Sequence, residues 1–584
     1  MKKLPKLETK DKTVKQLFED NRTHFLIPDY QRPYEWDDKE CGTLWTDLYT
    51  FAFPDNEPEK FDWDNNEYFL GPIVTFTNEN SAKEVIDGQQ RLTTLMLLLR
   101  AFYTEFEKKQ DKNSIKARDQ IGACIWKTDE IDDTPDMASC KLETEVATDE
   151  AKEDFKEILK TGAISKDKKS RYANNYRFFQ NKITEFLQKY DGYLAHFSAR
   201  ILKNCIILDI LASSSEAAMR IFTTLNDRGK PLSDADIFKS QLYKYYKELE
   251  NKDKFIKRWK ELEEVSSEIY HPIVGTPMDE AFTRYMYYER ARQGNKSSTI
   301  EALRKFYEKD SYALLKNGAT FDNIVDLANF WKSVSLQDKE RFSDKILKRL
   351  FVLNYAPNGM WTYITSVYYI RNRSENGLLD EEKFYDFLNK ITAFIWGYSF
   401  INPGVNALRT PIYAEMVNIV DDKRVEFKEY KIDLNQLENA IKNYVFTNTR
   451  TITKSMLAWW AFNDENQELL ELNKSFQIEH IYAKKRLEFD RSFSNPHNIE
   501  LLGNKALLEG NINIRASDYH FADKVKYYKG FKNSRGQSIG GTSIKELQDL
   551  AKNAKDFTEN DIVQRNALIV QKFIEYLRKN DLLK

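Results

Sequence analysis

The chain has 584 residues, of which 41% are hydrophobic and 14% aromatic, enough to bury several cores and unlike a disordered chain. Its 31% charged residues and mean hydropathy of −0.65 argue against an integral membrane protein, since an apolar stretch such as residues 95–99 stops at Arg100, far short of the ~18 residues a spanning helix needs. The balance of 89 Lys+Arg against 91 Asp+Glu, a net charge of −2, taken alone argues weakly against nucleic acid as a partner.

At the amino terminus, MKKLPKLETKDK has basic residues with no apolar segment behind them, so no secretory signal is expected and the chain reads as cytoplasmic. Residues 27–36, IPDYQRPYEW, form a loop fixed by two prolines that displays Tyr30, Gln31, Arg32, Tyr34 and Trp36. Residues 68–76, rich in β-branched and aromatic side chains, predict a strand. Val85 and Ile86 end a short strand, Gly88 makes a turn, and Leu92, Leu95, Met96, Leu99 and Phe102 recur at helical spacing. A third strand is expected over 204–211, then a helix over 216–225, a loop at NDRGKP, and a helix opened by Ser233 and Asp236 in a capping-box arrangement.

The region 246–445 is almost wholly helical in pattern, with loop punctuation at 354–359 and 401–404. The four cysteines, Cys41, Cys124, Cys140 and Cys205, form no CxxC pair, against a disulfide framework or a thiolate zinc site. The expectation is a multidomain α+β protein, predominantly helical, with domains at 1–245, 246–445 and 446–584.

Chemistry concentrates at the two ends. In the last domain, Ile478-Glu479-His480-Ile481 sets a carboxylate beside a histidine, followed by GNKALL (503–508), Asn511, Asn513 and Lys524. Metal-assisted phosphodiester hydrolysis needs a base for water and a cation near the leaving oxygen. A neutral imidazole supplies the base near pH 7, and hard oxygen ligands suit Mg²⁺ or Mn²⁺. Adjacent residues on a strand point to opposite faces, so a local twist must bring Glu479 and His480 to one centre. His497 reads as a loop residue and His520 as packed, with Lys524, Lys526 and Lys529 nearby as candidates for phosphate.

At the other end, Asp87-Gly88-Gln89-Gln90-Arg91 sits at a strand-to-helix junction and Asn226-Asp227-Arg228-Gly229-Lys230 in a loop. A glycine turn opening a helix exposes N–H groups and the positive dipole end, which suits a phosphate. Arg91 and Arg228 could add bidentate contacts, and Asp87 or Asp227 could hold a cation or position water. Tyr34 and Trp36 could stack a base, although packing is the simpler role for both.

The carboxy-terminal stretch resembles the HNH, or ββα-metal, nuclease superfamily, and within it the domain that ends GmrSD-type modification-dependent (type IV) restriction enzymes. By that resemblance His480 is the general base, Glu479 an acidic metal ligand, Asn504 the residue that orients the histidine loop, Asn513 the second metal ligand with Asn511 as the alternative, and Lys524 a basic residue near the phosphate. The usual proline after the histidine is missing, Tyr482-Ala483 standing there, and Lys505 replaces a usual apolar residue.

IPxYQRxYxW, DGQQRLTTL and FxTLNDRGxPLS together are similar to the ParB-like amino-terminal domain of the same proteins. The resemblance implies a nucleoside triphosphate bound and hydrolysed by Asp87, Gly88, Gln89, Gln90 and Arg91, with Asn226, Asp227, Arg228 and Lys239 as neighbours. It leaves Tyr30, Gln31, Arg32, Tyr34 and Trp36 to the nucleotide or to DNA sensing. The implied protein is a nucleotide-regulated, metal-dependent endonuclease cutting modified phage DNA in bacterial defence, with DNA as partner, no membrane, and a homo-oligomer left open. Two other readings use the same residues: a toxin-like nuclease cutting RNA or unmodified DNA, and a nucleotide-switched binding module with an inactive nuclease fold.

Overall fold

β-branched runs punctuated by glycine build a sheet first, and helices then take over the chain. A computed structural model describes residues 8–584 apart from 22, 55–56, 59–60, 62–65, 129–133, 148, 215–216, 219–220, 222–232 and 405. It divides into two compact units, one through Lys260 and one from Glu261. The helical region after 260 and the carboxy-terminal segment thus lie in one unit.

The strands of the first unit are β1 (Glu8–Thr13), β2 (Phe25–Ile27), β3 (Tyr68–Thr77), β4 (Lys83–Asp87), β5 (Trp126–Thr128), β6 (Pro135–Cys140), β7 (Leu142–Thr144) and β8 (Cys205–Ala212). Six of them form a mixed sheet in the order β1-β8-β3-β4-β2-β7, while β5 and β6 pair separately. The three strands expected from composition, at 68–76, 85–86 and 204–211, are β3, β4 and β8, which lie side by side. From β4 the chain turns at Gly88 into the helix Gln89–Phe106, whose Leu92, Leu95, Met96, Leu97, Leu98, Leu99 and Phe102 are all fully buried. A helix apolar all round belongs inside a core, and helices Lys112–Ile125, Lys152–Thr161 and Arg171–Tyr190 pack around this one. The expected helix at 216–225 and the NDRGKP loop fall largely outside the described residues. The helix after them, Asp234–Glu248, opens with the expected Ser233/Asp236 capping box.

In the second unit the expected stripes appear as helices Pro277–Arg292, Gly318–Ser335, Met360–Asn372, Glu381–Ile401 and their neighbours, ending at the predicted punctuation near 354 and 402. Two antiparallel strands follow, β9 (Phe476–His480) and β10 (Lys505–Glu509), with His480 opposite Lys505 and Glu479 opposite Ala506. Helices Gly510–Ala516 and Phe521–Lys529 come next, then a small hairpin of β11 (Gly530–Lys532) and β12 (Ser538–Gly540). The closing helix Glu559–Lys579 packs on the turn Leu502–Asn504. All four cysteines are buried and unpaired. No helix among the described residues is long and apolar enough to cross a membrane.

Candidate functional site

The carboxy-terminal constellation is organised by Asn504, which is fully buried. Its Oδ1 accepts the Tyr482 N–H at 2.8 Å, and its Nδ2 donates to the carbonyls of Tyr482 and Ile499, both at 3.0 Å. Its own carbonyl accepts the Ile481 N–H at 2.9 Å. One side chain therefore pins the chain immediately after His480, the part the resemblance assigned to it. The turn that carries Asn504 is held in turn by Arg565, whose Nη1 donates to the carbonyls of Leu502, Gly503 and Lys505 at 3.0, 2.9 and 2.8 Å. Arg565 also makes a two-pronged pair with Glu546, each bond 2.7 Å. Gly503 is required by contact: a Cβ there would lie 1.9 Å from the Ile562 carbonyl.

His480 ends β9 with a side chain only 16% exposed. Its Nε2 lies 2.9 Å from Lys505 Nζ, and that ammonium also donates to Asn448 Oδ1 at 3.0 Å and Glu500 Oε2 at 2.7 Å. A charged lysine has only donors to offer, so Nε2 is the acceptor and the ring proton sits on Nδ1. Burial, then the Lys505 charge, lower the imidazole pKa to about 4, with Glu500 opposing. The ring is neutral at pH 7.

Glu479 points the other way, as alternation along a strand dictates. Its Oε1 accepts from Lys524 Nζ at 2.7 Å and from Tyr528 OH at 2.6 Å, and the ion pair is almost fully buried on both sides. Burial pushes this carboxyl up against the pull of Lys524 and Tyr528. The twist needed to bring Glu479 and His480 to one centre is absent: the two face opposite sides of the hairpin. Asn513 sits with Glu479's face, donating to Gln477 Oε1 at 2.9 Å, while Asn511 is exposed.

Among the described residues no group of three or more His, Cys, Asp or Glu could hold a metal ion. A cation on Glu479 would sit against the Lys524 ammonium, so this donor set, as arranged, does not fit the divalent metal that the resemblance implied. Lys524 likewise serves Glu479 from inside the fold, where a DNA phosphate does not reach it. His520 is about half exposed, 3.7 Å from Asp490, and not packed as expected: it stands at the N-cap position of helix Phe521–Lys529, where its side chain makes no cap hydrogen bond. His497 is exposed in its turn as expected, and Lys526 and Lys529 are exposed.

At the amino-terminal junction, Gly88 adopts φ +91° as the cap of helix Gln89–Phe106 and offers that helix no side-chain cap. A Cβ at Gly88 would meet Ile73 at 2.6 Å, so both backbone and packing require glycine. Asp87 accepts the Gly88 N–H at 2.8 Å. Burial raises its pKa, against the pull of that N–H, Arg91 and Arg32. Arg91 donates to the Pro72 carbonyl at 2.8 Å. An uncapped helix start flanked by two arginines fits a phosphate group.

The two glutamines do something else. Gln90 accepts from the N–H groups of Glu35 and Trp36 at 2.7 and 3.3 Å and donates to the Pro33 carbonyl at 3.0 Å. Gln89 donates to Gln31 Oε1 at 3.3 Å, and Gln31 reaches the carbonyls of Val85 and Ile86. Both glutamines are buried and brace the 31–36 loop, so the structure brings DGQQR and IPDYQRPYEW together without presenting Gln89 or Gln90 to a ligand. Tyr34 is buried, stacked on Tyr172 at 4.9 Å and hydrogen-bonded to Thr94 and Asn175. Tyr30 bonds Glu84 at 3.3 Å, Arg32 bonds Glu35 at 3.3 Å, and Trp36 packs on the core. Lys239 is buried over the Trp259 ring. Asn226, Asp227 and Arg228 lie outside the described residues.

Sequence reasoning missed Glu500, Lys484 and Arg565 and undervalued Lys505. The one local signal was Lys505 itself, a charge opening the apolar run ALL.

Two protein-family models match the chain: one described as "GmrSD restriction endonuclease, N-terminal domain" over residues 14–243, and one described as "GmrSD restriction endonucleases, C-terminal domain" over residues 431–572. No curated protein matches it.

Proposed function

Since the chain belongs to the GmrSD restriction endonuclease family, matched at both its ends, we propose that it cuts modified phage DNA at His480 under the control of a nucleoside triphosphate bound at Asp87–Arg91. The observation that carries the cutting site is the neutral imidazole at the end of β9, on a chain pinned by Asn504. A neutral, largely buried histidine whose single lone pair, on Nε2, is released from Lys505 is the kind of group that takes a proton from water. In the proposed step His480 accepts that proton as the water oxygen attacks phosphorus. The phosphorus–oxygen bond to the leaving sugar then breaks, and its electron pair leaves with that oxygen. Asn504 and Arg565 hold the base in line, and effective catalysis depends on such positioning.

The amino-terminal reading rests on the left-handed Gly88 turn. There the backbone of the helix start and Arg91 would hold phosphate oxygens, and Asp87 would orient water or a cation. Gln89, Gln90 and Gln31 would keep the turn and the 31–36 loop in one piece. The role proposed for the nucleotide is regulation of cutting, and the role proposed for the loop is a part in sensing the modified base.

The test is a cleavage panel. The full chain is given plain, hydroxymethylated, glucosylated and phosphorothioated DNA, and RNA, each with and without each triphosphate and with and without Mg²⁺ or Mn²⁺. The proposal expects cutting of a modified DNA that changes with triphosphate. Equal cutting of plain DNA or RNA, or indifference to every triphosphate, would overturn it.

A further inference from the structure

His480 stands beside an anion-binding arrangement whose occupant is part of the chain. Glu500, the last residue of the turn Pro496–Glu500, has each carboxylate oxygen taken by a different lysine. Lys484 Nζ donates to Oε1 at 2.6 Å and Lys505 Nζ to Oε2 at 2.7 Å. The same Oε2 is 3.9 Å from His480 Nε2. Burial would raise the Glu500 pKa, but the two lysines override it and hold it down to about 2. The carboxylate is therefore charged at neutral pH.

The layering matters. The Lys505 side chain is completely buried, Glu500 is 20% exposed, and Lys484 is 61% exposed. Glu500 is thus the lid over Lys505 and over the Nε2 side of His480. Burying an ammonium is costly, and this one heads the buried apolar run Ala506, Leu507 and Leu508. A carboxylate carries two oxygens on one centre, as a phosphodiester does with its non-bridging oxygens. Lysine binds both as point charges.

We propose that Lys484 and Lys505 form a seat for a DNA phosphate beside His480, and that Glu500 occupies this seat until DNA displaces it. The inference rests on His480 as the cutting centre for its meaning but not for its test. While Glu500 is seated, Lys505 donates to Nε2 and covers the only lone pair of the neutral ring. A phosphate that draws Lys484 and Lys505 to itself uncovers that lone pair next to the phosphorus to be attacked. Contact and activation would then be one event, and unbound protein would hold its base capped.

The experiment is DNA binding by the full chain, using a short double-stranded DNA at several salt concentrations, read at early times while the DNA is verified intact by gel. Glu500→Gln removes the competing charge and frees the lysines. Affinity at low salt is expected to rise several-fold, with the slope of log K against log salt steeper by about one. Lys484→Met alters a largely exposed side chain and leaves the fold intact. Its affinity is expected to fall several-fold, and adding it to Glu500→Gln should cancel most of the gain. If folded Glu500→Gln binds no tighter than wild type, or if Lys484→Met binds as wild type does, the seat does not exist and the cluster is only a buried ion pair. Should Glu500→Gln fail to fold, Lys484→Met decides alone. A chain that gains affinity in this way yet cuts no DNA would refute the cutting reading and leave the seat standing.

Discussion

Asn504→Ala is the sharpest test of how the histidine is positioned. The substitution deletes three side-chain hydrogen bonds, to the Tyr482 N–H and to the carbonyls of Tyr482 and Ile499, from a side chain with no exposure. A buried group left without its partner loses about 1–3 kcal/mol. Two of these three bonds are only partly buried, so water can reach their ends, and the sum comes to roughly 3 kcal/mol. That loss is to be read by urea denaturation of the full chain, in the transition that carries the second unit. Cleavage should fall about a hundredfold, since shifts near 1 Å in a positioned group have that scale. Asn504→Asp is the control. It keeps the acceptor for Tyr482 N–H but sets a carboxylate against two carbonyls, and it should be no more stable than the alanine variant. If Asn504→Ala loses neither stability nor cutting, the pin has no role and the account of the site is wrong.

Other expectations follow from the same geometry. Lys524→Met strands the Glu479 carboxylate in the core and should lose about 3–5 kcal/mol, whereas Glu479→Leu with Lys524→Met should recover most of it; a double variant as unstable as the single one would contradict the pairing. The His480 imidazole, held at about 4 against ~6.5 in an unfolded chain, makes stability fall as pH drops from about 6.5 to 4, because the unfolded state takes up the proton first. The full effect is roughly 3 kcal/mol, and His480→Gln should flatten that slope in pH-dependent urea melts; a slope unchanged in the variant would assign it elsewhere. Gln90→Leu removes the three bonds that hold residues 33–36 and should lower the first unit's stability by about 2–3 kcal/mol together with triphosphate turnover. Turnover at the wild-type rate in that variant would separate the loop from the nucleotide site.

Local signals carried the elements and only some of the site. The strand–Gly88–helix junction was legible because a left-handed turn and a helical apolar stripe are written in consecutive residues, and the Ser233/Asp236 box because capping acts over three positions. The partners of those residues were not legible. Lys524 reads as a surface cation in sequence, yet it meets Glu479 from 45 positions away; Arg565 braces Asn504's turn from about sixty. Gln89 and Gln90 look available in DGQQR and are consumed by the 31–36 loop, a contact that only folding makes. Alternation along β9 sets Glu479 and His480 on opposite faces, and the twist expected to bring them to one centre is absent. The near-neutral charge total hid local chemistry altogether, since Lys484, Lys505 and Glu500 add a single positive charge to the sum while crowding one histidine.

The central claim is that His480 is the base of a DNA-cutting centre, separate from the triphosphate site. It is tested most directly by measuring cleavage of modified DNA and triphosphate hydrolysis side by side in His480→Ala. The account predicts that cleavage is abolished while hydrolysis proceeds at the wild-type rate; DNA cut at the wild-type rate by the alanine variant would contradict it.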